Sequence, residues 1–160
     1  MYPTLNDLPA EGRTNLCALL NARLADMADM TTMAKQAHWN VKGPNFIALH
    51  KMFDELWGDL NDYVDLIAER VAQLGGTANG TARDAAEASN LDEYPHGIVT
   101  GKEHVGAIAS RLALLALSTR AAIGSSEDLG DVDTADLFTE VSRGIDKWLW
   151  FVESHQQAEA

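Results

Sequence analysis

Four long stretches of this chain place apolar side chains every three or four residues, and none alternates with a period of two, so the backbone is committed to helices. The first runs from about Glu11 to His38, with Leu16, Leu20, Leu24, Met27, Thr31, Ala34 and His38 on one stripe. Gly43 and Pro44 stop it, and Asn45 is placed to cap the next. The second, from about Asn45 to Leu74, is the longest and most regular, with Leu49, Phe53, Leu56, Leu60, Val64, Ile67, Val71 and Leu74 in line and Gly75 and Gly76 at its end. The linker from Thr77 to Val99 is polar, with a short helix predicted over Ala82 to Ala88. Thr100 and Glu103 form a capping-box pattern ahead of a third stripe of Val105, Ile108, Leu112, Leu115 and Ile123. Gly124 to Gly130 reads as a loop, and Asp133 as the cap of a fourth helix whose stripe is Phe138, Val141, Ile145, Trp148 and Val152.

Four amphipathic helices of this length predict an all-α four-helix bundle. The connection between the second and third is too long for a hairpin and long enough to cross the bundle, carrying the short extra helix. At 160 residues and 46% apolar, the chain reads as one domain over 1–160, with short flexible ends at about 1–10 and 155–160. Twenty-four acidic side chains against twelve basic ones give a net charge of −12, which argues against nucleic-acid or anionic-membrane partners and suits a protein that handles cations. Cys17, the lone cysteine, excludes an intrachain disulfide framework and is expected to be a small buried residue. The N-terminal residues lack a signal-peptide pattern, and the longest apolar run, Leu112 to Leu117, is far short of a membrane span, so a cytoplasmic location is expected.

The chemistry concentrates on the polar face of the second helix. His50 and Asp54 are i,i+4 neighbours, as are Asp65 and Glu69, and such pairs can converge on one cation. With His50 at zero and ~100° per residue, the four fall within ~100° of one another, on a face separate from the apolar stripe. Asp54 and Asp65, however, are roughly 16 Å apart along a straight helix and cannot share a metal within one chain. Positions 50 and 69 share a midpoint with positions 54 and 65, between Asp59 and Leu60. A two-fold axis there would set Asp54 opposite the partner's Asp65, and His50 opposite the partner's Glu69, making two equivalent sites at an isologous dimer interface. His38, ending the first stripe before a tight turn, is a fifth candidate. Two imidazoles and three carboxylates suit iron, manganese or zinc, with iron favoured if the site is redox active and Trp39 then an oxidisable neighbour. Taken singly, Asp54, Asp65, Glu69 and His50 also read as solvated surface groups, and His38 as a satisfied end-of-helix histidine. His96, His104 and His155 lack a partner pattern and read as surface residues, while Trp57, Trp148 and Trp150 read as packing residues. Glu93 and His96 have Glu-x-x-His spacing, but Pro95 between them argues against a helical ligand pair.

His38, His50, Asp54, Asp65 and Glu69, set within HWNVKGPNF, LHKMFDEL and DLIAER, resemble the ferroxidase motif of the Dps family of miniferritins, and DTADLFTEVSRGIDKWLWFVES resembles that family's last helix. The resemblance covers about Leu16 to Ser154 and implies a ferritin-like bundle assembling as a homo-dodecameric shell from two-fold dimers. It implies that His38, His50 and Asp54 act with Asp65 and Glu69 of a second copy to oxidise Fe(II), preferentially with hydrogen peroxide rather than oxygen. The ferric product would be stored in the cavity, suppressing oxidative damage. Asp133 and Asp136 match positions lining cation pores in the family, with Asp131 a candidate addition. Glu55, Asp59 and Asp62 are candidates for facing the cavity and nucleating mineral, with plain solvation the alternative. A shell that binds zinc without redox chemistry is a rival reading.

Many Dps proteins also bind DNA through a lysine-rich tail, and this sequence departs from that pattern. Arg13 is the only basic side chain before residue 20, none of Lys or Arg follows Lys147, and the end, SHQQAEA, is acidic. Twelve copies at −12 would carry roughly −144, so DNA binding is expected to be weak or absent.

Overall fold

The computed structural model describes residues 1–157, and its helices form where the apolar stripes predict them. They are α1 (Ala10–Asn40), α2 (Phe46–Gln73), α3 (Ala82–Ala88), α4 (Gly101–Asp128) and α5 (Val132–Gln157). Among the described residues there is no strand, only a single parallel bridge between Lys42 and Thr100. That bridge sets the topology. α2 and α4 both start at the end of the bundle where α1 finishes, so they run parallel, and the segment between them returns along its length. Such a crossover replaces the short hairpin loop of a simple up-down bundle. α1 packs on α2 and α4 on α5, with α1–α4 and α2–α5 contacts closing the bundle and α3 resting on α1. The result is a ferritin-like four-helix bundle whose long crossover carries a short fifth helix.

The core is the sum of the four stripes. Leu16, Leu20, Leu24, Met27, Phe53, Leu56, Leu60, Ile108, Leu112, Phe138 and Ile145 are all fully buried, each contributing about 1.5–3 kcal/mol of apolar burial. Cys17 is buried as expected, its Sγ facing the Val71 carbonyl. Capping boxes form at the starts of α3 and α4: Thr81 with Asp84, and Thr100 with Glu103 as the sequence predicts. The hydrogen bonds from Thr100 and Val99 hold the Glu103 carboxyl below its ordinary range. At the N-terminal end, Tyr2 N donates to the Gly75 carbonyl at 2.6 Å and Arg13 to the Leu74 and Leu8 carbonyls. His155 to Gln157 belong to α5, and residues 158–160 of the expected C-terminal end lie outside the described residues.

Four expectations need correction. The Gly124 to Gly130 loop is helical as far as Asp128. One glycine costs a helix only about 1 kcal/mol. The buried Ser126, whose hydroxyl donates back to the Ala122 carbonyl, keeps the last turn in the core, and the chain leaves the helix at Gly130, with φ +80°. Asp131, not Asp133, caps α5, accepting from Thr134 N at 3.1 Å. His104 is a buried residue, 1% exposed, because the crossover folds over it. Of the tryptophans, Trp148 packs inside and donates to Asp59, whereas Trp57 and Trp150 stand on outward flanks of α2 and α5. α4 is long and apolar enough to cross a membrane by length and composition, yet here it supplies the bundle with its own stripe of core residues.

Candidate metal centre

The corner between α1 and α2 brings His38 against His50. Their rings stack with centroids 3.7 Å apart and planes 20° from parallel. His38 Nδ1 lies 2.7 Å from the His50 carbonyl, and His50 Nδ1 lies 2.8 Å from the His38 carbonyl. A carbonyl can only accept, so each Nδ1 donates and each Nε2 keeps its lone pair. This reciprocal clip binds two helices together and fixes the tautomer that a metal-binding imidazole requires. Phe46 packs beside His50 with ring centroids 5.1 Å apart, screening one side of the pair.

One turn beyond His50, the Asp54 side chain is 48% exposed and 4.0 Å from His38 Nδ1. Its carboxylate is paired with the ammonium of Lys35, which also lies 4.2 Å from the centroid of the Trp57 ring. The Lys35 hydrogen bond holds the Asp54 carboxyl below its ordinary value, keeping it anionic. Asp65 and Glu69 stand exposed on the same flank of α2, three to four turns further along. Among the described residues, no three His, Cys, Asp or Glu side chains of one protomer come close enough to hold a metal ion. Each protomer thus presents two partial sets: two imidazoles with one carboxylate near the start of α2, and two carboxylates near its end.

Trp39, 68% exposed, follows His38 and opens onto a groove of about 680 Å³ shared with Glu93 and His96 of the crossover. Asp133 and Asp136 are exposed on the first turns of α5. Asp131 is different. It is 3% exposed, receives both the Thr134 amide and hydroxyl, and takes Arg70 on both oxygens at 2.9 Å. Its role is to fasten the end of α2 to the start of α5, and no carboxylate oxygen is left to line a pore. Asp59 is likewise engaged, accepting from Trp148 Nε1 at 2.7 Å, while Glu55 and Asp62 remain exposed. Burial, reinforced by the charges of Asp59, Glu140 and Asp62, pushes the Tyr63 phenol up.

Two functional contributors escaped the sequence reading. Lys35 precedes His38 by three residues, one helical step along the same face, and that spacing was the available signal. Arg70 follows Glu69 directly and ties the end of α2 to Asp131 and Thr134, but nothing in the sequence links it to Asp131 across the turn.

The Ferritin-like domain family matches residues 17–159. A DNA protection during starvation protein of Agrobacterium fabrum is 43% identical over 156 residues, covering 98% of this chain and 96% of that one. Its counterpart in Mycolicibacterium smegmatis is 32% identical, covering 98% and 83%. Among solved structures, a tetragonal form of Mycobacterium smegmatis Dps superposes with a TM-score of 0.92 at 31% identity, covering 97% and 93%. Dps from Microbacterium arborescens in the high iron form gives 0.87 at 31% identity, covering 96% and 99%. A full-length bundle, an uninterrupted second helix with ligand-type side chains at both ends, and these likenesses place the chain in the Dps family of ferritin-like proteins.

Proposed function

We propose that this protein is a ferroxidase and iron store, with Fe(II) as substrate and hydrogen peroxide as the preferred oxidant over oxygen. One observation carries the reading: the two partial ligand sets on α2 mirror each other about the middle of the helix. A two-fold related copy running antiparallel along α2 completes both sets at once, with His38, His50 and Asp54 from one protomer facing Asp65 and Glu69 of the other. The carboxylates favour the more highly charged Fe(III) over Fe(II) and so favour oxidation. Each Fe(II) gives one electron, and hydrogen peroxide takes two with two protons to leave water, so peroxide is consumed without releasing hydroxyl radical. Asp133 and Asp136 serve as entry carboxylates, and the ferric product is held inside a dodecameric shell in the cytoplasm. Zinc and manganese are substitutes that this donor set accepts.

Stopped-flow oxidation of Fe(II), with peroxide or oxygen, on the parent and the Asp65→Asn, Glu69→Gln double variant tests this reading. Loss of the fast peroxide-driven phase in an assembled variant is the expected result, and equal rates in both proteins would refute the shared centre. The names of the relatives favour a second role in DNA protection, but a surface of −12 per chain opposes direct contact with a polyanion. Gel retardation at neutral pH and moderate salt should show weak or no complex.

A further inference from the structure

The second half of the crossover, residues 91–100, contains no helix and is held by a few identifiable bonds. Arg111 of α4 donates to the carbonyls of Asp92, at 3.2 Å, and Glu93. Lys42 N, just beyond α1, donates to the Val99 carbonyl at 3.0 Å. Between them Tyr94 turns inward, 8% exposed, and its hydroxyl lies 2.7 Å from Nδ1 of the buried His104. Their rings stack at 6.1 Å, and a pocket of about 200 Å³ lined by Gln36, Asn40, Tyr94 and His104 adjoins them. His104 Nε2 makes no well-formed hydrogen bond and is oriented among the carbonyls of Ile98 and Asn40.

Of these tethers, only the Tyr94–His104 bond contains a group that changes charge between about pH 5 and 8. We propose that His104 is an acid-sensitive latch whose protonation releases Tyr94, and with it residues 91–100, from α4 and from the corner that follows α1. The neutral ring accepts the phenol proton at Nδ1. A protonated ring donates from both nitrogens, so the Tyr94 hydroxyl has to reverse inside a buried contact. On balance the surroundings disfavour a cation: burial lowers the His104 pKa most and Lys42 from the α1–α2 corner adds to it, outweighing Glu103 on its own helix and the Ile98 and Asn40 carbonyls, which oppose it. Arg111 stands on the far side of Tyr94, 5.9 Å from that ring. Burial likewise keeps the Tyr94 phenol protonated, so it remains the donor. Because the native ring resists protonation and the released ring has its ordinary value, protection of the crossover is full above about pH 6.5. Below that it falls by up to about tenfold per pH unit until the native ring itself titrates.

Hydrogen exchange of the intact assembled protein, followed by mass spectrometry between about pH 7.5 and pH 5 and corrected for intrinsic exchange, reads this directly. Peptides spanning 91–100 should lose protection on acidification in the parent, while the middle of α4 does not. His104→Phe should abolish the pH dependence, whatever its starting protection. Tyr94→Phe keeps the ring and removes the phenol donor, so its acid midpoint should move to higher pH. A flat parent profile, an equal slope in His104→Phe, or an unmoved midpoint in Tyr94→Phe would each overturn the latch.

Discussion

Replacing Asp131 by Ala removes three things at once: the cap of α5, a partner for the Thr134 hydroxyl, and the counter-charge of Arg70. A lost cap bond costs about 1 kcal/mol, and stripping the partner from a buried charge costs about 3–5 kcal/mol. The Arg70 and Asp131 side chains are 11% and 3% exposed, so solvent cannot replace the lost contact cheaply. Because these losses share one group they do not add, and about 4 kcal/mol per protomer is expected. Urea unfolding followed by tryptophan fluorescence, at one protein concentration because assembly contributes by mass action, measures it. In combination with Arg70→Met, Asp131→Ala should cost markedly less than alone, since no unpaired guanidinium remains. The pH dependence has a definite sign. Burial would raise the Asp131 carboxyl, but hydrogen bonds from Thr134 and Arg70 outweigh it and hold the carboxyl below its ordinary 3.8. The unfolded chain therefore takes up the proton first. The contribution of Asp131 is complete above about pH 4 and disappears as pH falls through the native value, where parent and variant stabilities converge. A loss under about 1 kcal/mol at neutral pH, or strict additivity with Arg70→Met, would refute a buried clasp.

Lys35→Met should free the Asp54 carboxylate for a cation and return its carboxyl towards 3.8, so calorimetry with Zn(II) should show tighter binding at neutral pH and an acid edge moved to higher pH. Phe53→Ala empties a fully buried site facing the bundle centre and should cost about 3–5 kcal/mol in urea unfolding. Gly144→Ala drives a methyl group into the Tyr63 hydroxyl, and thermal denaturation should report about 1–3 kcal/mol of destabilisation, with Tyr63 displaced in a structure of the variant.

The bundle was legible because burial and periodicity coincide: Leu49, Phe53, Leu56, Leu60, Ile67 and Val71 are the stripe of α2 and also its buried face. The candidate ligands of α2 stand out for the complementary reason, as His50, Asp54, Asp65 and Glu69 set polar groups at helical spacing off that stripe, while His38 ends the stripe of α1. What escaped depends on contacts between distant segments. Asp131 and Asp133 are equally good caps in sequence, and only the arrival of Arg70, 61 positions earlier, distinguishes them. His104 reads as a surface residue on α4 because the residue that covers it, Tyr94, lies in a segment with no periodicity to place it. The extension of α4 through Gly124 was hidden by local propensity, which the core contact of Ser126 overrides.

The unbroken course of α2 from Phe46 to Gln73 constrains how such a chain can change by insertion. Residues added between Asp54 and Asp65 leave the mirror relation of the two ligand sets intact, since both midpoints shift together. What they alter is phase. One added residue turns everything beyond it by ~100° and carries Asp65 and Glu69 off the shared flank, while Ile67 and Val71 leave the core. Seven or eleven added residues restore the phase to within ~20° of the original. The helix is therefore a protractor more than a ruler: insertions of seven or eleven residues keep its phase, and a single-residue slip turns the proposed ligand pair and the core residues out of place together.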